Sequence, residues 1–280
     1  METPSFRHLN VVWELFEDWA DSESVREALE VCEAILVRLG IADRFVFVAT
    51  TYGDKIAMKH KDRVIVVQTQ DETHLVPDYV DDVFMVFKTY RPFVPAPVNL
   101  RVIPLGCNKD VPALLPKPME SRTRDVFFIG RIEHRDAFLK AALPLNDRRD
   151  IRAQIAVGPA YRQGITPEDY ARTLVDTKVA LAPRGVSHET FRVYEAMRAG
   201  CAVIADRQLP TWFNDGWPVI EVDNWEHVSA KIDALLADPA RLEELSARGQ
   251  AWWHDKCRPA VVGQYMAREI VGRLTANSAA

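Results

Sequence analysis

"DTKVALAPRGVSHETFRVYEAMRAGCAVIAD", Asp176 to Asp206, contains a complete repeat of one folding pattern. "KVALAP" reads as a short apolar strand ended by Pro183. "TFRVYEAMRAG" sets Phe191, Tyr194 and Met197 at helical spacing behind Thr190, a residue type that caps helices. "CAVIAD" is a second buried strand. Strand, helix and strand in that order predict a crossover between parallel neighbours. The alternation extends outward in both directions. Strand "DVFFIG", a helix around "HRDAFLKAAL", strand "RAQIAVG" and helix "TPEDYARTLVDT" come before it. Strand "WPVIEVD" and helices "WEHVSAKIDALLAD" and "PARLEELSARGQAWWHDK" come after. Residues 125–258 are therefore expected to form a doubly wound α/β domain, its parallel sheet covered on both faces.

Upstream, "SESVREALEVCEAILVRLG" carries Val25, Ala28, Leu29, Cys32, Ile35, Leu36 and Leu39 at helical spacing, with Ser22 or Ser24 as cap and Gly40 as stop. Short strands follow at "RFVFVAT", "RVIVVQT", "DVFMVFK" and "NLRVIPLG". Residues 1–106 thus read as a small α/β domain. Residues 107–124, "CNKDVPALLPKPMESRTR", hold three prolines without periodicity and read as a linker. A last helix is expected from about Pro259 to Leu274. Within 259–280 it could cross back to the N-terminal domain, and "TANSAA" should fray.

The bulk numbers narrow the function. With 48% hydrophobic and 27% charged residues over 280 positions, the chain is an ordinary globular protein. A formal charge of -5 argues against a nucleic-acid partner. Cys32, Cys107, Cys201 and Cys257 lie too far apart for a zinc knuckle or a redox pair. No stretch approaches the roughly 20 apolar residues of a membrane span, so a cytoplasmic location is expected. Composition says nothing about oligomeric state.

Ligands of open parallel sheets bind outside the carboxyl ends of the strands. Three segments fall there. Gly130 ends a strand, and Arg131 and Arg135 follow at the mouth of a helix, a favourable phosphate site. Gly158 and Pro159 break the next strand and let a flat base approach backbone. Arg184, Gly185, Ser187 and His188 form a loop before the helix that holds Phe191, Arg192 and Glu195. Its Glu195 carboxylate could accept both hydroxyls of a ribose, and Arg192 could meet a diphosphate. Taken singly, Arg192 and Glu195 also fit a surface pair three residues apart, and Arg131 and Arg135 fit solvated charges. Their coincidence at one sheet edge favours a site.

This pattern resembles the donor-binding segment of GT-B glycosyltransferases, most closely the exostosin-like branch that includes the ribitol-phosphate xylosyltransferases. Pro183, Gly185, Glu189, Phe191, Arg192, Tyr194, Glu195, Ala196 and Gly200 fit its motif. "FFIGRIEHR", "VNLRVIPLGCN" and "VQTQDETHLVPDYVDDVFMVFKTY" are similar to other stretches of that branch. The resemblance implies two Rossmann-type domains, the N-terminal one reduced. It also implies that Glu195 binds the donor ribose, that Arg131 and Arg192 hold the diphosphate, that Gly158 lies near the base, and that Glu189 lies near the sugar. Arg184 matches only some members. The co-substrate implied is a nucleotide sugar, a uridine diphosphate sugar by preference, with no metal, since cationic side chains neutralise the leaving group. The acceptor is a hydroxyl of a glycan or small molecule. Inverting transfer needs a base, for which "QTQDETH" offers Asp71 or Glu72, with His74 in reserve. A sugar-nucleotide epimerase or hydrolase, or a non-catalytic nucleotide-binding module, would share many of these features.

Overall fold

A computed structural model describes residues 6–15, 19–51, 53, 60–158 and 164–279. The chain divides into two compact units, Met1–Lys109 with Lys256–Ala280, and Asp110–Asp255.

The first unit is a parallel sheet of β1 (Asn10–Trp13), β2 (Val46–Thr50), β3 (Val64–Gln68), β4 (Met85–Lys88) and β5 (Leu100–Val102), arranged in sequential order. The edge strand β1 is absent from the sequence reading, because four residues with alternate half-burial carry too little pattern. Strand alternation then assigns the faces. Val64, Val66, Val86 and Leu100 pack against Tyr79, Val80 and Val83 from the β3–β4 connection. On the opposite face Phe87 meets Tyr265 with ring centroids 6.4 Å apart. Tyr265 belongs to α7 (Pro259–Ala279), which packs along α1 (Ser22–Arg38). The two helices approach so closely at Gly263 that a Cβ there would lie 2.2 Å from the Ala28 carbonyl oxygen.

Two local expectations are corrected. Asp21, not Ser22 or Ser24, stands at the head of α1; the Ser22 hydroxyl instead donates to the Trp19 carbonyl at 2.9 Å. The last helix, expected to end near Leu274, continues as α7 through Ala279.

The second unit is a parallel sheet of β6 (Arg124–Gly130), β7 (Ala153–Val157), β8 (Thr177–Ala182), β9 (Ala202–Asp206) and β10 (Ile220–Val222), in the order β10-β9-β8-β6-β7. After β6 the chain goes to one side, for β7, and then returns to the other, for β8. The carboxyl end between β6 and β8 is thus a topological switch point, where open sheets bind ligands. Helices α2 (Asp136–Ala142), α3 (Pro167–Val175), α4 (Phe191–Arg198), α5 (Val228–Leu236) and α6 (Pro239–Trp252) complete the unit. Phe128, Leu181 and Ile204 on one face share a core with Phe138, Trp225 and Ile232. Phe127, pointing the other way, meets Tyr170 of α3 at 5.9 Å.

The expected linker is in large part built into this unit. Met119 joins the core. Arg122, only 3% exposed, donates to the carbonyls of Lys117, Thr177 and Ala199 at 3.0, 2.7 and 3.1 Å. Prolines and polar residues conceal this, because Arg122 satisfies backbone carbonyls and so leaves no hydrophobic pattern to read.

Candidate active site

Of the residues singled out in the second unit, Gly130, Arg135, Gly158, Gly185 and Arg192 come together at its switch point. Gly130 ends β6, and Gly158 follows β7, its amide donating to the Gly130 carbonyl at 2.9 Å. Arg192, in the first turn of α4, reaches back across β6. Its Nη2 donates to the Ile129 carbonyl at 2.9 Å, and its guanidinium lies 4.8 Å from the centre of the Phe128 ring. A Cβ on Gly130 would sit 2.9 Å from Arg192 Nη2 and 2.8 Å from Phe128 Cζ. Glycine is what allows the cation to lie on the strand end.

A second arginine repeats the arrangement. Arg135, at the head of α2, donates through Nη1 to the Arg131 carbonyl at 3.0 Å, and a Cβ on Gly185 would lie 3.2 Å from its Nη2. The loops after β6 and β8 therefore meet through Arg135 and Gly185. Arg131 is exposed beside them. His134, between the two arginines, holds a left-handed backbone at φ 64°, an uncommon conformation that tends to collect at functional sites.

The loop after β8 is held from below. Asp206, ending β9, accepts from the Arg184 amide at 2.6 Å and from Trp225 Nε1 at 3.1 Å. Arg184 Nη1 lies 3.0 Å from His188 Nε2, and His188 Nδ1 lies 2.9 Å from the Arg207 carbonyl. A guanidinium can only donate, so Nε2 accepts and the imidazole proton sits on Nδ1. Arg184 is thus committed to shaping its own loop.

Thr190 takes the N-cap position of α4 without bonding the helix, and its hydroxyl is buried with no hydrogen-bond partner. The expectation that this side chain caps the helix is corrected. Arg192 Nε is likewise buried and unpartnered. Glu189 accepts from the Tyr194 hydroxyl, and Phe191 is half-buried.

Glu195 is no surface residue. It is 5% exposed and accepts from the Tyr170 hydroxyl at 3.0 Å. Burial, and then the Glu195 charge, push the Tyr170 phenol well above its ordinary pKa, while Arg192 acts the other way. Both α4 charges therefore bear on one buried hydroxyl. Glu195 also lines a small, half-open pocket with Leu114, Leu174 and Arg198. The part played by Leu114 and its neighbours was invisible in a segment that reads as a linker.

In the first unit, Asp71 accepts from the ammonium of Lys88, which has no exposed surface. Thr73 donates to the same carboxylate. Glu72 is exposed. His74 is buried, stacks on Phe93 at 4.4 Å, and places Nδ1 2.7 Å from the Arg91 carbonyl. Pro159 lies outside the described residues. Among the described residues no group of three or more His, Cys, Asp or Glu could hold a metal ion, and no helix is long and apolar enough to cross a membrane.

Two parallel α/β units, the second with a switch point between β6 and β8, are the architecture of a GT-B fold, which similar solved structures share. Among solved structures, the chain is similar to the GtfA/B complex at a TM-score of 0.54 and 13% identity, over 86% of this chain and 60% of that one. It is similar to sucrose-phosphate synthase from Thermosynechococcus elongatus at a TM-score of 0.50 and 13% identity, over 89% and 72%. It thus spans about 60% of the length of the first of these. Residues 135–264 match the family model described as "Glycosyl transferase-like". No curated protein matches the chain.

Proposed function

We propose that the protein is a glycosyltransferase whose second unit grips the diphosphate of a nucleotide sugar, by preference a uridine diphosphate sugar. The observation that carries this reading is the pair of arginines, Arg192 and Arg135, lying against Gly130 and Gly185 at the ends of β6 and β8. Two cations beside strand ends at a switch point form a polyanion site. The glycosyl transferase-like match over 135–264 covers most of that site, and the motif from Pro183 to Gly200 favours the exostosin-like branch.

In this reading Arg131, Arg135 and Arg192 neutralise the leaving diphosphate without a metal, and the Thr190 hydroxyl supplies a further hydrogen bond. Glu195 takes the ribose, sharing its carboxylate with Tyr170. Glu189 stands toward the sugar, and backbone at Gly158 toward the base. In the inverting version, the acceptor oxygen bonds to the anomeric carbon as the bond to the diphosphate breaks, and its proton passes to a carboxylate. Asp71 is committed to Lys88, so that role falls to Glu72. The acceptor is a hydroxyl of a glycan or small molecule.

Calorimetric titration with uridine and guanosine diphosphates, alone and as sugar conjugates, tests the site. Arg192→Met is expected to weaken nucleotide binding by roughly 10- to 100-fold, the equivalent of a lost charge-assisted hydrogen bond. Gly130→Ala should weaken it similarly by displacing the same guanidinium. Absence of binding by every nucleotide would sink the proposal. Donor consumed at full rate without any acceptor would replace transfer with hydrolysis or epimerisation.

A further inference from the structure

The connection between β4 and β5 reads "RPFVPAPVNLR", Arg91 to Arg101. Between those two arginines there is no charge, and the one polar side chain, Asn99, is buried, its Nδ2 donating to the Val80 and Val83 carbonyls at 2.6 and 3.1 Å. The middle of the loop faces outward. Phe93, Val94 and Val98 are between 55% and 77% exposed, with Pro95 and Ala96 exposed among them, so these side chains stand out from the surface instead of lining a cleft. Leu75, in the β3–β4 connection, adds a fourth large exposed apolar side chain. Its neighbour His74 stacks on Phe93 at 4.4 Å and accepts the Phe93 amide through its carbonyl at 3.4 Å.

The protrusion is fixed at both ends. Pro92 is buried, the Leu100 amide returns to the Pro97 carbonyl at 3.0 Å, and Arg101 Nη1 donates to the Val98 carbonyl at 2.9 Å. Pro92, Pro95 and Pro97 restrict the backbone further, so little freedom is left to lose when something covers the loop. A contiguous exposed apolar surface marks a place of interaction, and the chemistry of the loop says with what. No side chain from Pro92 to Val98 can form a hydrogen bond, whereas protein interfaces carry polar pairs and a polar rim. Prolines have no N–H and the Phe93 amide is already bonded, so few backbone donors would go unmet in an apolar medium. Lipid fits both facts.

We propose that the β4–β5 loop, together with Leu75, is a membrane-docking tip that inserts Phe93, Val94 and Val98 at the boundary between headgroups and acyl chains. The bilayer it fits is zwitterionic. Glu72 and Asp78 lie on either side of Leu75 in the chain and are both exposed, so an anionic surface would repel the adjoining connection. The proposal concerns the first unit alone and holds whether or not the second unit binds a nucleotide.

Co-sedimentation of the full chain with phosphatidylcholine vesicles tests it. Saturable binding is expected, unweakened by salt and not strengthened when phosphatidylglycerol replaces a third of the lipid. Phe93→Ser should weaken it about tenfold, and Val94→Ser and Val98→Ser about threefold each, as expected for losing buried apolar area. Leu115→Ser, at a more exposed leucine of the second unit, should change nothing. The proposal is overturned by no binding to phosphatidylcholine, by binding that requires phosphatidylglycerol and disappears in salt, or by equal losses in Leu115→Ser and the loop variants. Self-association of the chain that the two valine variants abolish would also overturn it, by giving the loop to a second copy. If Phe93→Ser does not fold, the valine variants decide alone.

Discussion

Asp71→Asn is expected to lower stability by about 3–5 kcal/mol, the cost of removing one partner from a buried ion pair. Lys88 ends β4 with no exposed side-chain surface, and Asp71 is only 15% exposed. Neutralising the carboxylate leaves an ammonium in the sheet edge without its counter-charge. Burial alone would raise the Asp71 pKa, but hydrogen bonds from Lys88 and Thr73 outweigh it and hold the carboxyl below the usual range. A native pKa below the unfolded value of 3.8 means stability that is fully present above that pH and lost as pH falls through the native pKa. The wild-type protein should therefore weaken in acid, below about pH 4, and the variant should lack that part of the slope. Urea unfolding at pH 7 and pH 3 reads both effects. A change under about 1 kcal/mol at pH 7 would show the pair to be worth no more than a surface contact.

The same pair decides how the proposed acceptor base should be tested. Lost turnover in Asp71→Asn reports a damaged unit as readily as a missing base. Exposed Glu72 is the cleaner probe. Glu72→Gln should leave the urea midpoint in place and lower kcat by about 10²- to 10⁴-fold, whereas undiminished turnover would remove Glu72 from the mechanism.

The second large effect is expected at Gly263. Helix propensity alone favours alanine there by roughly 1 kcal/mol. Against this, the new methyl would sit 2.2 Å from the Ala28 carbonyl oxygen and 2.9 Å from Val31 Cβ. The first obstacle is backbone, which cannot rotate aside, so α1 and α7 would have to separate along their contact. Overpacking of this kind costs about 1–3 kcal/mol, occasionally more, and Gly263→Ala is expected at the top of that range despite its propensity gain. Gly272, on the same helix, has nothing within 4 Å of the place a Cβ would occupy and is the internal control: Gly272→Ala should be neutral or slightly stabilising. Equal behaviour of the two variants in thermal unfolding would refute the close approach.

Much of the second unit was legible because its strands are continuous apolar runs separated by helices of regular length. "KVALAP", "TFRVYEAMRAG" and "CAVIAD" correspond to β8, α4 and β9 with ends shifted by a residue or so. The grouping of Gly130, Arg135, Gly185 and Arg192 also followed from strand ends alone. What escaped the sequence is polar and long-range. Arg122 bonds carbonyls 55 and 77 residues away, Lys88 sits inside a run that reads simply as strand, and Asp206 anchors a loop 22 residues upstream. Such groups are buried because a distant partner satisfies them, and periodicity has no way to register that. β1 escaped for the opposite reason, being an edge strand of four half-exposed residues.

The first unit is assembled from Met1–Lys109 and Lys256–Ala280, so its sheet is translated long before α7, the helix that covers part of it. As the chain leaves the ribosome, Val67, Phe87 and the inner side of α1 must wait uncovered while some 146 residues of the second unit are made. The inserted unit can finish folding first, and the earlier one closes last. Released chains ending at Asp255 should thus hold a protease-resistant second unit and an open first one that recruits holdase chaperones.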